Sequence, residues 1–110
     1  MKIVKQIKKN VFGVKISYRG SRKEIGRAYL YVLNNGLHKK PFGFLEDVFV
    51  NEKYRGQGLG SKLINAAIIE AKRRGCYKLI ATSRNSKPLL RKFYKRFGLE
   101  VWGAEFRKDL

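Results

Sequence analysis

Alternating hydrophobic and polar residues dominate the first half of the chain. Residues 12–18 alternate Phe, Val, Ile and Tyr with Gly, Lys and Ser, and residues 3–7 begin and end on Ile. Two further apolar runs, rich in aromatic and branched residues, occupy residues 25–33 and 44–50. Because a period of two places one face of a strand on a core and the other in water, the pattern predicts four strands. The Asn-Asn-Gly sequence at residues 34–36 predicts a turn after the third run.

The pattern changes to helical spacing after Asn51. Residues 59–74 predict a helix that ends at Gly75, and residues 77–82 form an apolar run of strand length. A second helix is predicted over about residues 87–97, with Pro88 in its first turn and Gly98 at its end, and a last strand pair is expected over residues 100–107. This order of elements predicts a single α+β domain over residues 1–110, built as a mixed α/β sandwich.

The composition supports a folded core and adds a large positive charge. The 110 residues are 44% hydrophobic and 13% aromatic, which argues against intrinsic disorder. Lys and Arg number 26 against 8 Asp and Glu, and the resulting formal net charge of +18 is spread over both halves of the chain. Such a domain attracts polyanions, which include nucleic acid, anionic lipid and phosphorylated small molecules. A solvated surface with no specific partner is the alternative explanation of the charge.

The hydropathy and the cysteine content of the chain indicate where in the cell the protein is expected. No apolar run reaches the ~18 residues that a membrane span needs, and no secretory signal pattern opens the chain. Cys76 is a single cysteine, so an internal disulfide is excluded, and no clustering of His, Cys and carboxylate residues indicates a metal site. We therefore expect a cytoplasmic protein that holds no metal.

A glycine-rich loop between a predicted strand and a predicted helix is the strongest candidate for a binding site. Gly56, Gly58 and Gly60 follow the fourth strand and lead directly into the helix. Glycine lets the backbone approach an anion, and the N–H groups and positive dipole end of a helix attract one, so this loop suits a phosphate. Neither the Walker A sequence nor the dinucleotide-binding glycine spacing is present. A flexible turn without a ligand is the alternative.

Residues 55–60, with the sequence Arg-Gly-Gln-Gly-Leu-Gly, resemble the Arg/Gln-x-x-Gly-x-Gly/Ala signature of the GNAT superfamily, the acyl-CoA-dependent N-acetyltransferases. Residues 46–50 are similar to the bulged fourth strand of that family. Asn85 and residues 93–99 are similar to its second motif, in which a helix supplies a tyrosine. The matching motifs occur in order over residues 43–100.

A narrower likeness is to glucosamine-6-phosphate N-acetyltransferases. It lies in the neighbouring Glu46 and Asp47, in the glycine loop, and in residues 75–78 and 92–94. The superfamily resemblance implies a GNAT-like fold, with a central, mostly antiparallel sheet and two main helices. Family members usually carry two helices between their first and second strands, whereas here only a short turn around Asn10 separates the first two runs.

The resemblance also implies a cofactor and the residues that bind it. Acetyl-CoA is expected as the cosubstrate, bound by the bulged strand, the glycine loop and two residues of the second motif. These residues are Val48, Phe49, Val50, Arg55, Gly56, Gln57, Gly58, Leu59, Gly60, Ser61, Asn85 and Tyr94.

Glu46 and Tyr94 are the candidate catalytic residues. An attacking amine with a pKa near ~10.4 must lose a proton, and Glu46 can accept it directly or through water if burial raises the pKa of that carboxyl. An ion pair with a neighbouring cation is the alternative role for Glu46. The phenol of Tyr94 can hydrogen-bond or protonate the leaving thiolate, as the family motif implies, and core packing is its alternative role.

Three further expectations concern the same region. Asp47 faces away from Glu46 in an ideal strand and reaches the site only if a bulge re-aims it. The backbone N–H groups of a bulge at residues 48–50 are expected to polarise the thioester carbonyl. Asn85 is expected either to hydrogen-bond the pantetheine arm of the cofactor or to form a cap or turn.

The leading function is transfer of an acetyl group from acetyl-CoA to a primary amine by direct attack in a ternary complex. The alternative is a basic nucleic-acid-binding or CoA-sensing module that keeps the GNAT fold without turnover. Since little chain remains to enclose the acceptor, we expect a homodimer that completes the site or a bulky acceptor in an open groove.

The basic surface also bears on the choice of partner. It favours an anionic amine acceptor, such as an amino-sugar phosphate or an acidic peptide N-terminus. We expect no membrane association, and we expect nucleic acid to bind only non-specifically.

Overall fold

The computed structural model describes residues 1–84 and 88–110, which contain a four-stranded sheet and two helices. The strands are β1 (Phe12–Arg19), β2 (Glu24–Leu33), β3 (Phe42–Val50) and β4 (Leu79–Ala81). The helices are α1 (Leu59–Arg73) and α2 (Pro88–Lys95), and a single 3₁₀ turn spans Glu52–Tyr54. The strand order is β1-β2-β3-β4, in which the first three strands are antiparallel and β4 is parallel to β3. The predicted α+β class and mostly antiparallel sheet are confirmed.

The alternation of residues along β2 gives the sheet two different faces. Ala28, Leu30 and Val32 are buried and pack against buried residues of α1, and α2 packs on the same core through its aromatic side chains. We call this side of the sheet the inner face. The residues between them, Arg27, Tyr29 and Tyr31, point to the opposite side and are half-buried. We call that side the outer face, and neither α1 nor α2 covers it.

Glycine ends both helices, as the sequence predicts. Gly75 has a φ of 78° after α1, where the N–H of Cys76 donates to the carbonyl of Ala71. Gly98 has a φ of 86° after α2, where the N–H of Leu99 donates to the carbonyl of Tyr94. These left-handed residues let the chain turn back and satisfy carbonyl groups of the last helical turn.

The strand at residues 3–7 and the strand pair at residues 100–107 are wrong predictions. Residues 3–7 and residues 100–107 are exposed and lie outside the sheet. Ile3 is 90% exposed and Trp102 is 93% exposed, so neither segment buries its apolar side chains. An alternating pattern shows that one face of a segment could be buried. A strand also needs a neighbouring strand to bond its N–H and C=O groups, and neither segment has one in the described sheet. The first strand of the described sheet is therefore β1, and a short turn joins it to β2.

Gly26 marks a close approach between α1 and the sheet. A Cβ atom added to Gly26 would lie 3.0 Å from the backbone oxygen of Phe49 on β3 and 3.1 Å from Cδ1 of Leu63 on α1. The oxygen belongs to the neighbouring strand and cannot move without disturbing the pairing of β2 with β3. Gly26 therefore keeps α1 close to the part of the sheet where the candidate site lies.

Gly26→Ala should destabilise the fold by about 1–3 kcal/mol, because the added methyl group overpacks the contact between sheet and helix. The midpoint of urea unfolding measures the effect. Gly103→Ala is the matched control, since no atom lies within 4 Å of its added Cβ, and its stability should stay within about 0.5 kcal/mol of the parent. Equal stability of both variants would contradict the tight packing at Gly26.

Candidate active site

A groove opens where β3 and β4 separate. The two strands pair over three residues only, from Gly43 opposite Leu79 to Leu45 opposite Ala81. β3 then continues to Val50, whereas β4 ends at Ala81, and α2 forms a further wall. The groove is lined by Glu46, Asp47 and Val48 from β3, Thr82 and Ser83 after β4, and Tyr94 from α2. Strands that separate in this way leave backbone polar groups free for an extended ligand with amide groups.

A β-bulge interrupts β3 beside this groove. Arg27 pairs with Phe49 and Tyr29 pairs with Glu46, so β3 has one residue more than β2 between these pairs. Asp47 has a φ of 53°, a left-handed conformation that non-glycine residues seldom adopt. The expected bulge is present, but its position needs correction: it is centred on residues 47 and 48 rather than on residues 48–50. Phe49 and Val50 have already resumed regular pairing with β2.

The bulge decides which side chains share a face. Residues three apart point to opposite faces of a regular strand, but the extra residue puts both Glu46 and Phe49 on the outer face, opposite Tyr29 and Arg27. Asp47 is exposed and lines the groove beside Glu46. Asp47, at the bulge, thus lines the groove next to Glu46, which was the condition set for Asp47.

The glycine loop follows directly after β3. Gly56 and Gly58 have φ values of 80° and 79°, and no atom lies within 4 Å of a Cβ added to either. Glycine is therefore required here by the left-handed backbone and not by crowding within the chain. Arg55 is fixed at the start of the loop, because its Nε donates to the carbonyl of Val50 at 2.9 Å.

The beginning of α1 suits an anion. Gly58 is the N-cap residue and offers no side-chain hydrogen bond to the first turn, whose residues are Leu59, Gly60 and Ser61. The N–H groups at the start of a helix have no partner within the helix, and the dipole is positive there. The backbone from Arg55 to Ser61 thus has the form of an open phosphate cradle.

Tyr94 lies on α2 with its ring against the core. It is half-buried, packs on the core of α1 and β3, and sits beside Phe93 with 6.1 Å between ring centroids. Burial raises the pKa of the Tyr94 phenol above its ordinary value, so the hydroxyl stays protonated at neutral pH. Because Tyr94 also lines the groove, it can both pack on the core and donate a hydrogen bond into the groove.

Glu46 does not meet the condition that the sequence hypothesis set for a catalytic base. The sequence hypothesis required its carboxyl to be buried, whereas its side chain is exposed in the free protein. The alternative ion pair is also absent, because no salt bridge among the described residues involves Glu46. Glu46 is therefore an open carboxylate at the meeting point of groove and outer face. Asn85 lies outside the described residues.

Arg27 and Tyr29 lie beside Glu46, and the sequence analysis did not single them out. They occupy alternate positions on β2, on the face opposite to Ala28 and Leu30. The signal that predicts their position was the alternation of residues 25–33, which places the odd-numbered residues after 25 together on one side. Only the register with β3 brings them to Glu46.

Two classes of feature are absent from the described residues. No group of three or more His, Cys, Asp or Glu side chains in this part of the chain is arranged to hold a metal ion. No described helix is long and apolar enough to cross a membrane.

Known proteins resemble this chain over much of its length. A glucosamine 6-phosphate N-acetyltransferase of Trypanosoma brucei brucei is 39% identical over 69 residues, which is 62% of this chain and 44% of the relative. A probable glucosamine 6-phosphate N-acetyltransferase of Drosophila melanogaster is 39% identical over 75 residues, which is 67% of this chain and 33% of the relative. The chain therefore spans less than half the length of these curated relatives.

A solved structure and a family model agree with these relatives. The crystal structure of a Trypanosoma brucei acetyltransferase superposes with a TM-score of 0.80 at 29% identity, over 89% of this chain and 69% of that one. The model of the acetyltransferase (GNAT) family matches residues 13–99, a span that contains the bulge, the glycine loop, both helices and all of the sheet except Phe12. The chain belongs to the GNAT acetyltransferase family.

Proposed function

We propose that this chain transfers an acetyl group from acetyl-CoA to a primary amine that attacks directly in a ternary complex. GNAT acetyltransferases use acetyl-CoA. The observation that carries the proposal is the bulged end of β3, which borders the groove beside β4 and is followed within a few residues by the left-handed glycine loop at the start of α1. Together these features offer backbone hydrogen bonds to an extended amide chain and an anion cradle at one end of it.

The residues of this path fit the chemical groups of coenzyme A. Backbone N–H groups from Gly56 to Ser61 would hold the pyrophosphate, and the pantetheine arm would lie along Val48 and its neighbours in β3. The open space around Gly56 and Gly58 leaves room for phosphate oxygens at the backbone. Acetyl-CoA supplies the activated thioester when it is bound. The protein binds and orients the cofactor and provides groups that accept and donate protons.

Two side chains are assigned to proton transfer. The carboxylate of Glu46 accepts the proton of the acceptor amine, directly or through water, and the protonated phenol of Tyr94 donates to the sulfur that leaves. A bound acceptor would cover Glu46 and remove water from it, so its exposure in the free protein does not oppose the role. The backbone N–H groups at the bulge are the donors proposed for the developing oxyanion.

The acceptor that we propose is a small amine with an anionic group. The named relatives are glucosamine 6-phosphate N-acetyltransferases, and the +18 chain attracts phosphate and repels polyamines. A homodimer that completes the acceptor site remains a prediction.

The alternative functions differ in what they require of the aromatic residues. A nucleic-acid-binding role for the basic α2 with Phe93, Tyr94 and Trp102 needs exposed rings for stacking. Phe93 and Tyr94 pack on the core, whereas Trp102 is 93% exposed. A CoA-sensing module would bind the same donor without turnover. A thiol-release assay with acetyl-CoA and a panel of amines, run beside binding of bare CoA, separates the sensor from the enzyme.

Gly58→Val should weaken CoA binding at least tenfold, because a branched side chain cannot hold the left-handed φ of 79° and would project toward the bound pyrophosphate. Isothermal titration with CoA measures the effect. Gly36→Val is the matched control: its φ is 81°, no atom lies within 4 Å of its added Cβ, and it sits in the turn between β2 and β3. The cradle is misplaced if both variants fold and bind CoA as the parent does.

Tyr94→Phe should keep CoA affinity and lower kcat by roughly 10²-fold, since the ring still packs while the acidic hydroxyl is lost. The parent rate should fall at alkaline pH only as the raised pKa of Tyr94 is passed, above the ordinary value of 10.0, and the variant should lack that limb. Tyr18→Phe, on the exposed end of β1, controls for loss of a hydroxyl. An unchanged kcat in Tyr94→Phe would show that Tyr94 is not the acid.

Glu46→Gln should lower kcat/KM for the acceptor by about 10²-fold, because the amide cannot accept a proton. Asp47→Asn changes the adjacent carboxylate at the bulge and should have a smaller effect. The measurement is the initial rate against acceptor concentration at saturating acetyl-CoA. A larger loss in Asp47→Asn than in Glu46→Gln would transfer the role of base to Asp47.

A further inference from the structure

The outer face of the sheet carries a regular grid of side chains beside the groove. Strand pairing aligns Lys15, Tyr29 and Glu46 in one row across β1, β2 and β3. The next row contains Arg27 and Phe49. No described helix covers these rows, so their polar atoms face outward. The open carboxylate of Glu46 thus has an aromatic ring and an arginine as its immediate neighbours on β2.

Two arginines converge on one aromatic ring in the second row. The guanidinium of Arg27 lies 4.8 Å from the ring centroid of Phe49, and that of Arg55 lies 5.5 Å from the same centroid. Phe49 is itself 41% exposed, so the ring supports both cations at the surface. We call Arg27 and Arg55 the arginine pair.

Within the part of the chain that the structure describes, the arginine pair has no carboxylate partner. No salt bridge among the described residues involves Arg27 or Arg55, although each guanidinium prefers a bidentate anion. Lys15 differs, because its ammonium lies 2.8 Å from a carboxylate oxygen of Glu24 and lowers the pKa of that carboxyl. Two like charges held near one ring without a counterion make a place where a phosphate is favoured.

The spacing between Glu46 and the arginine pair matches a small molecule. Arg27 precedes Tyr29 by two residues, roughly 7 Å along β2, and Glu46 is one strand away, about 5 Å across the sheet. An amine at Glu46 and an anion at Arg27 would therefore be separated by the length of one sugar ring with its substituents. Tyr29 lies at the corner of this arrangement, directly opposite Glu46 and two residues from Arg27, and its ring stacks with Tyr31 at an interplanar angle of 14°, which provides aromatic surface for a carbon skeleton.

We propose that the arginine pair is the binding site for the phosphate of the amine acceptor, with the acceptor lying over Tyr29 and its amine at Glu46. This inference rests on the proposed acetyl transfer. It identifies the acceptor as a small primary amine that carries a phosphate about one sugar ring away from its nitrogen. Arg55 also belongs to the glycine loop, so its substitution could change cofactor binding. A substitution of Arg27 is therefore the test of acceptor binding.

Arg27→Gln tests the site with glucosamine 6-phosphate and glucosamine, two acceptors that differ only in the phosphate. We expect kcat/KM for glucosamine 6-phosphate to fall at least tenfold, while kcat/KM for glucosamine and KM for acetyl-CoA stay within twofold of the parent. Arg27→Lys should recover part of the loss, since it keeps the charge but not the bidentate geometry. The preference of the parent for the phosphorylated sugar should shrink at high salt.

Arg73→Gln is the matched control for net charge. Arg73 lies in the last turn of α1, which packs on the inner face, and it pairs with Glu70, so its loss removes one positive charge that does not belong to the outer face. An equal loss of phosphate preference in Arg73→Gln would show that the overall charge, not the arginine pair, selects the acceptor. An equal loss on both sugars in Arg27→Gln, no loss on either, or a parent without phosphate preference would also overturn the proposal.

Calorimetry separates this proposal from the proposed activity. Glucosamine 6-phosphate is titrated into the CoA-saturated parent and into CoA-saturated Arg27→Gln, with glucosamine as the second ligand. If no amine is acetylated, the proposed activity fails, but weaker binding of the phosphorylated sugar to Arg27→Gln still supports the site. Equal affinity of the parent and the variant for that sugar overturns the site even where acetylation is observed.

Discussion

The left-handed conformation of Asp47 is the constraint on which the rest of the site depends. It inserts one residue into β3 relative to β2. Every later residue of β3 therefore points to the opposite face from the one it would occupy in a regular strand. Without the insertion, Glu46 and Phe49 would lie on opposite faces. With it, both face outward while Val48 and Val50 pack on the core beneath α1. A single unusual φ angle therefore decides that the open carboxylate and the arginine-bearing ring share one surface.

The packing around the bulge explains how this conformation is maintained. A left-handed non-glycine residue costs of order 1–3 kcal/mol and persists only where its surroundings hold it. Here regular pairing resumes immediately at Phe49 and Val50, and the N–H of Asn51 donates to the carbonyl of Ile25 at 2.7 Å. Gly26 lets α1 lie against the same stretch, with Leu63 over it. The bulge is thus clamped by β2 on one side and by α1 on the inner face.

Local signals in the sequence were enough to predict most elements, because their causes are local. The glycines that end α1 and α2 and the alternation along β2 depend on neighbouring residues alone. The segments at residues 3–7 and 100–107 show where this reasoning fails, since an alternating pattern does not supply the strand that must lie beside it. The glycine loop and Tyr94 were found through motif spacing. Arg27 and Tyr29 were not found in this way. They lie beside Glu46 because of the register between β2 and β3, and no residue type in either strand indicates that register.

Arg55 connects the two halves of the proposed site. Its backbone begins the glycine loop, its Nε is held by the carbonyl of Val50, and its guanidinium reaches the outer face at Phe49. In the proposed enzyme, the phosphates of the donor and the phosphate of the acceptor would thus lie on opposite sides of one short segment. With 26 basic and 8 acidic residues, the chain has too few carboxylates to neutralise its cations, and aromatic rings hold several of them instead. A guanidinium held by a ring keeps its full charge for an incoming anion, whereas one held by a carboxylate does not. In the proposed enzyme, the excess positive charge therefore acquires a specific role at the place where the bulge has put an arginine-bearing ring on the same surface as a carboxylate.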